Sequence, residues 1–211
     1  MEVAWFSSSY PPAELVQSEL KKQVKVRASE FDPRLLLAAQ EGDVSAQEEF
    51  VRHYQDRLFA FISRAVGAGM MVEDLAQEVF IRALRALPRF ETRDAKLSTW
   101  LFQIAVRLIQ DQRKRKVLPT ALSEEQQIEC KQDGPFELLA QRRKLRDIER
   151  LVMLLSEEQR IVFVLVVFHG LSLFEVAETT NCSIATVKTR LFRARQHLKE
   201  GLMEDGGTCD E

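Results

Sequence analysis

SLFEVAETTNCSIATVKTRLFRARQHL, residues 172–198, is the stretch on which the reading of this chain turns. Ser172 followed three residues later by Glu175 is a capping box, in which each side chain serves the other residue's backbone N–H. It opens a short helix to about Thr179. Asn181 tolerates left-handed backbone and makes a tight turn before Ser183 caps a second helix. On that helix Ile184, Val187, Leu191, Ala194 and Leu198 recur every three or four residues and define a buried stripe. Two short capped helices joined by a tight turn form a helix-turn-helix, whose second helix enters the major groove of DNA.

The side opposite the stripe carries the chemistry. Advancing about 100° per residue puts Thr189, Phe192, Arg193 and Gln196 outward, with Lys188 and Arg195 on one flank and Arg190 on the other. Arg193 can donate two hydrogen bonds to a guanine, Thr189 and Gln196 can bond base edges or phosphates, and the flanking cations suit the backbone. The plain alternative is a solvated face on an ordinary amphipathic helix. The capped helix and turn before it favour the DNA reading. Phe192, a large apolar group on a polar face, suggests a partner surface, or else contact with a neighbouring helix.

A net charge of -2 by itself argues against a nucleic-acid partner, but the charges are segregated. Between Ile184 and Leu202 the cations Lys188, Arg190, Arg193, Arg195 and Lys199 face one acid, Glu200. Acids collect instead at Glu124, Glu125, Glu129 and Asp133, and at Glu204, Asp205, Asp210 and Glu211. With 45% apolar and 29% charged residues the chain reads as globular rather than disordered or membrane-spanning. The longest apolar run, Ile161 to Phe168, is too short to cross a bilayer. Met1 to Ser9 lacks the features of a secretory signal, so the cytoplasm is the expected compartment. Cys130, Cys182 and Cys209 form neither a disulfide framework nor a metal-binding spacing, and read as free thiols; no metal or cofactor is expected.

Helix signals dominate the rest of the chain, so an all-α fold is expected. Asp32-Pro33 pairs an N-cap with proline at the first helical position, and Gly42 ends that helix. Ser45 with Glu48 reads as a capping box for a helix through Phe50, Tyr54, Leu58, Phe61 and Ile62, stopped by Gly67 and Gly69. A third helix from about Val72 to Leu87 places Leu75, Ala76, Val79, Phe80, Ala83, Leu84 and Leu87 on one face, and Pro88 closes it. After a polar loop, Arg89 to Lys96, a fourth helix presents Leu97, Leu101, Ile104, Ala105 and Leu108. It ends in Arg113-Lys114-Arg115-Lys116, cations suited to the negative end of its dipole.

Val117 to Pro135 contains two prolines, a glycine and the mid-chain acids without periodicity, and reads as a flexible acidic linker. Phe136 to Leu155 is expected to be helical, and Ser156 with Gln159 caps the segment holding the apolar run. By periodicity that run is compatible with a buried strand; the cap argues for a helix. The expected organisation is an N-terminal extension (1–30), a helical domain (31–116), the linker (117–135), a helix-turn-helix domain (136–203) and an acidic tail (204–211).

Leu173-Phe174-Glu175-Val176-Ala177-Glu178 and Thr186-Val187-Lys188-Thr189-Arg190-Leu191-Phe192-Arg193-Ala194-Arg195 resemble region 4 of extracytoplasmic-function (ECF) sigma factors, group 4 of the sigma-70 family. Glu73-Asp74-Leu75-Ala76-Gln77-Glu78-Val79-Phe80 and Trp100-Leu101-Phe102-Gln103-Ile104-Ala105 resemble region 2 of the same family. Two such matches in the right order are more specific than either alone. The resemblance implies a bacterial promoter-recognition subunit of RNA polymerase that binds the core enzyme at the beta-prime clamp helices and the beta flap. Asp74, Gln77, Glu78 and Ile81 lie outside the buried stripe of the third helix and would meet the clamp; the plain alternative is that Asp74 and Glu78 only suit the helix N-terminal dipole.

The resemblance assigns the minus-35 element to Lys188, Thr189, Arg190, Phe192, Arg193, Arg195 and Gln196. It assigns melting and reading of the minus-10 element to Phe90–Lys116. Single strands are held by aromatic stacking beside positive charge, which suits Arg93, Lys96, Trp100, Arg107, Arg113 and Lys114; Trp100 is equally a core candidate. Arg107 stands where the family commonly has asparagine, Asn181 where it has a turn glycine, and Thr179 and Thr180 where it has apolar residues, which weakens local packing. An anti-sigma factor, in some cases bound to the inner membrane, is the further implied partner. Two other functions compete. A stand-alone helix-turn-helix regulator would bind duplex DNA without core polymerase. An enzyme is disfavoured, because His53, His169 and His197 are scattered and no phosphate loop or nucleophile elbow is present, and no small-molecule substrate is expected.

Overall fold

Asp32 and Pro33 start the first helix as local chemistry predicts. In the computed structural model, which describes residues 30–67, 70–91, 96–116 and 148–205, with backbone alone at 70, 113–116 and 203–205, regular structure is entirely helical. The N-terminal extension before Glu30, Gly69, Arg93, the acidic linker, Cys130, Cys209 and the last residues of the acidic tail lie outside the described residues.

Helix α1 (Pro33–Glu41) is capped by Asp32, which accepts the Arg34 N–H at 2.8 Å, and ends at Gly42. Helix α2 (Val44–Val66) is capped by Asp43, whose Oδ1 accepts the Ala46 N–H at 2.7 Å. Ser45 therefore lies inside the helix and is not its cap: two capping residues fall within three positions, and the one nearer the Gly42 corner takes the free N–H. Helix α3 (Met70–Ala86) passes into a 3-10 turn, Leu87–Arg89, built on Pro88. Helix α4 is Leu97–Lys116.

These helices pack as a bundle in which α2 touches α1, α3 and α4. Phe50, Leu58, Phe61 and Ile62 of α2 meet Leu75, Val79 and Ala83 of α3 and Leu101, Phe102 and Ala105 of α4 in one buried cluster. Each large side chain so buried contributes about 1.5–3 kcal/mol. Burial pushes the Tyr54 phenol up to about 12. Gln40 Nε2 donates to the Leu87 carbonyl at 3.0 Å and the Phe90 carbonyl at 2.7 Å, fixing where the chain leaves the 3-10 turn towards α4.

The second bundle begins with a helical stretch at 148–154, here α5. Ser156 accepts the Gln159 N–H and starts α6 (Glu157–Phe163), which widens into a π-helical turn at Val164–Phe168. The apolar run is thus helical, as its cap predicts. Helices α7 (Leu173–Thr180) and α8 (Ile184–Asp205) follow. Ile161 to Leu165 are buried without interruption, because α8 covers α6 on one side and α2 of the first bundle covers it on another.

The two bundles therefore share a core. His169 places its ring edge-on to Phe61 and Phe102, with centroids 5.7 and 5.0 Å away. Gly67 closes α2 at φ +93° and ψ 162°, a region nearly restricted to glycine, and a Cβ there would lie 3.1 Å from Met153 Cε. Gly67→Ala is expected to cost roughly 1–3 kcal/mol. Gly42→Ala, at φ +96° with open space around it, is expected to cost less. Urea unfolding of both variants tests this; equal midpoints would show that the Met153 contact and the Gly67 backbone add nothing.

Candidate nucleic-acid interface

The caps and the turn of the helix-turn-helix are built from backbone and hydroxyl hydrogen bonds that reach no further than five residues. Ser172 Oγ accepts the Glu175 N–H at 3.2 Å while Glu175 Oε2 accepts the Ser172 N–H at 2.7 Å, completing the capping box. Asn181 takes φ 50° and ψ 47°, the left-handed conformation, and lets the Asn181 and Cys182 N–H groups reach the Glu178 and Ala177 carbonyls at 3.3 and 3.1 Å. Ser183 Oγ then accepts the Thr186 N–H at 3.1 Å. Thr179 and Thr180 donate their hydroxyls to the carbonyls four residues back, each at 2.7 Å, so the buried Thr179 is satisfied within its own helix.

On α8 the buried stripe runs through Val187, Leu191, Ala194 and Leu198. Ile184 departs from expectation and is 41% exposed. Helical side chains lean towards the N-terminus, so the first residue projects past the end of the helix and the stripe begins at Val187. Lys188, Thr189, Phe192, Arg193 and Gln196 are exposed on the other side. The Thr189 hydroxyl donates to the Ala185 carbonyl at 3.0 Å and keeps its oxygen free to accept.

Arg190 and Arg195 are half-buried. Arg190 Nη2 lies 2.7 Å from Glu158 Oε2, and its Nη1 lies 3.6 Å from Cys182 Sγ, so this guanidinium braces α8 against α6 and the turn. Burial lowers the Arg195 pKa. Five of the seven residues expected on the DNA face thus stand clear, and two are partly engaged by the protein.

In the first bundle, Asp74, Gln77 and Ile81 of α3 are exposed, and Glu78 is half-buried with Oε1 2.7 Å from Arg82 Nε. That i,i+4 pair is worth about 0.3–0.5 kcal/mol, little enough to be exchanged for a partner. Ahead of α4, Lys96 Nζ lies 2.9 Å from Glu175 Oε1 on α7. Trp100 is half-buried and tilted 45° to Phe90 at 4.9 Å, so part of its surface is already packed. Arg107 is exposed. Arg113 and Lys114 occupy the last turns of α4, with side chains outside the described residues, as is Arg93 altogether.

Glu175 carries two loads, the cap and the ion pair. Burial pushes its carboxyl up, but the Ser172 N–H, the Lys96 ammonium and the Ser172 hydroxyl outweigh burial and hold it below the usual carboxylate range. The hydrogen bond that Lys96 donates to Glu175 in turn raises the Lys96 pKa. Both groups are therefore charged at neutral pH, and the contribution of Glu175 is lost only as pH falls through its lowered value. Sequence spacing shows Glu175 as a cap residue and gives no sign of Lys96, nor of the partners Arg64 and Glu149 or Arg190 and Glu158. Among the described residues no three potential ligands gather as a metal site, and no helix is long and apolar enough to cross a membrane.

Comparison with known proteins agrees with this arrangement. Residues 50–117 match the family described as Sigma-70 region 2, and residues 145–198 match Sigma-70, region 4. The chain is 31% identical to the RNA polymerase sigma-H factor of Pseudomonas aeruginosa over 82% of its own length and 94% of the relative's. It is 31% identical to the ECF RNA polymerase sigma factor SigW of Bacillus subtilis over 77% of this chain and 92% of that one. Among solved structures, CnrH in complex with the cytosolic domain of CnrY aligns with TM-score 0.58 and 26% identity, covering 81% of this chain and 96% of that one. The sigma factor RpoE in complex with the anti-sigma factor NepR from Bartonella quintana aligns with TM-score 0.63 and 27% identity, covering 76% and 98%. The two matched regions, in their order and with relatives covered almost end to end, make this chain a member of the ECF sigma factors of the sigma-70 family.

Proposed function

We propose that this ECF sigma factor directs core RNA polymerase to promoters by reading the minus-35 element with the outward face of α8, opening the minus-10 element along α4, and gripping the core through α3. It is a non-catalytic initiation factor. The observation that carries the reading is the division of α8 into a buried stripe and an opposite face of exposed Lys188, Thr189, Phe192, Arg193 and Gln196. Arg193 is suited to bidentate bonding of a guanine, Thr189 and Gln196 to base edges or phosphates, and Lys188 to backbone phosphate. Arg190 and Arg195 support this face from its flanks.

For the minus-10 element, Lys96, Arg107 and the basic end of α4 supply charge, and the uncovered part of Trp100 supplies a surface for an unstacked base. Asp74, Gln77, Glu78 and Ile81 present the acid, amide and apolar groups that would meet the beta-prime clamp helices, while the second bundle would meet the beta flap. An anti-sigma factor is the natural further partner. Phe174 and Phe192, each 60% exposed, offer it apolar anchors, and a membrane-bound anti-sigma factor would hold the chain at the inner membrane.

Transcription with purified core polymerase and a promoter library tests the reading. Arg193→Ala is expected to relax preference at one minus-35 position by about 1–3 kcal/mol, roughly 5- to 150-fold. Lys188→Ala is expected to weaken all promoters alike and reduce the salt slope by about 1. Unchanged promoter choice with Arg193→Ala would remove the DNA assignment of α8. Asp74→Lys is expected to lower affinity for core polymerase in a competition assay while unfolding stays the same; undiminished affinity would take α3 out of the interface.

A further inference from the structure

The end of α3 is finished by a side chain from α1. The last carbonyls of a helix lack partners within it, and Pro88 has no N–H to offer. The Leu87 carbonyl receives the Phe90 N–H at 3.0 Å. It also receives Gln40 Nε2 at 3.0 Å, and the same nitrogen donates to the Phe90 carbonyl at 2.7 Å. Both neighbours can only accept, so the nitrogen of the amide, and not its oxygen, has to face them. One amide thus ties together the two ends of the turn, 47 and 50 residues away along the chain.

Phe90 carries that grip onward. Its side chain is buried, and its ring lies 4.9 Å from the Trp100 indole at an angle of 45°. Trp100 belongs to the first turn of α4, where its N–H donates to the Lys96 carbonyl at 3.0 Å, and α4 packs against α2, α3 and α7. The backbone beneath Trp100 is therefore held by helix packing. The tilt of the indole about its own side-chain torsions depends on what lies against the ring, and Phe90 is such a wall. It covers part of the half-buried indole and leaves another part exposed.

We propose that Gln40 is a positioning residue for promoter opening: by holding the Phe90 backbone it sets the tilt of Trp100, and with it the direction in which the uncovered part of the indole meets an unstacked base. The inference rests on the reading of Trp100 as a stacking surface for the minus-10 strand. Gln40 touches no DNA in this arrangement and acts by pre-organisation. Without its two bonds the turn and the indole would have to be ordered as the strand arrives, and binding of the strand would weaken by that cost.

A double-mutant cycle on the full chain, bound to core polymerase, tests this. Gln40→Met keeps the length of the side chain and removes the donor; Trp100→Leu keeps apolar packing and removes the stacking ring. Trp100→Leu is expected to weaken binding of a pre-melted minus-10 probe roughly tenfold, the scale of one base stacked on an aromatic ring. Gln40→Met is expected to weaken it about fivefold, the scale of one neutral hydrogen bond, while affinity for core and for a minus-35 duplex stays within about twofold of the parent. Added to Trp100→Leu, Gln40→Met is expected to have no further effect on the probe, because its influence passes through the indole. Urea unfolding checks that each variant is folded. Phe90→Leu leaves the Gln40 bonds to backbone in place and removes the wall, so it reads the same link where Gln40→Met is too unstable, with a severalfold loss expected only when Trp100 is present.

The outcomes separate the two readings. If Trp100→Leu weakens the probe but Gln40→Met or Phe90→Leu binds it as the parent does, the positioning role is overturned and promoter recognition stands. Equal losses with and without Trp100 would show that Gln40 serves the fold at large, and overturn it as well. If Trp100→Leu binds the probe as tightly as the parent, the stacking role of Trp100 falls and that of Gln40 falls with it.

Discussion

A helix that is apolar on every side has to be covered on every side, and Ile161 to Leu165 impose that demand on this protein. One bundle cannot meet it alone. Helix α8 covers one flank of α6, and α2 covers another, so the most hydrophobic stretch of the chain lies between the bundles and orients both. With α6 clamped, α8 can bury only its Val187, Leu191, Ala194 and Leu198 stripe, and the cationic face is left pointing away from the protein.

The same geometry sorts the cations by role. Arg64 and Arg190 serve the fold, one stacked on Phe168 and paired with Glu149, the other bracing α8 through Glu158. Lys188 and Arg193 are exposed on the outward face of α8. Lys96 falls between the two groups. Its ammonium pairs with Glu175 while its side chain stays largely exposed.

Local chemistry was legible in the sequence. Asp32, Ser156, Ser172 and Ser183 accept N–H groups two or three residues ahead, and spacing alone encodes bonds of that reach. The buried faces of α3 and α8 follow from periodicity for the same reason. Spacing fails at the helix starts of Ser45 and Ile184, where a competing Asp43 and the backward lean of side chains decide the outcome. Contacts between helices far apart in sequence left no trace in spacing: Arg64 and Glu149, which join the two bundles, are 85 residues apart, and Arg190 and Glu158, which join α8 to α6, are 32 apart. Periodicity reported that Ile161 to Phe168 is apolar, but not that a second bundle supplies the missing cover.

The widened turn at Val164–Phe168 has a structural corollary. The His169 N–H bonds the Val164 carbonyl five residues back, at 3.2 Å, so the segment holds one residue more than an α-helical path needs. That surplus works as an angular shim: taking it out would swing everything beyond it by about 100°. Phe168 and His169 would then face away from Arg64, Phe61 and Phe102, and the bundles would lose their common aromatic seam. The mutual alignment of the two halves of the protein is thus set by a single intercalated peptide unit.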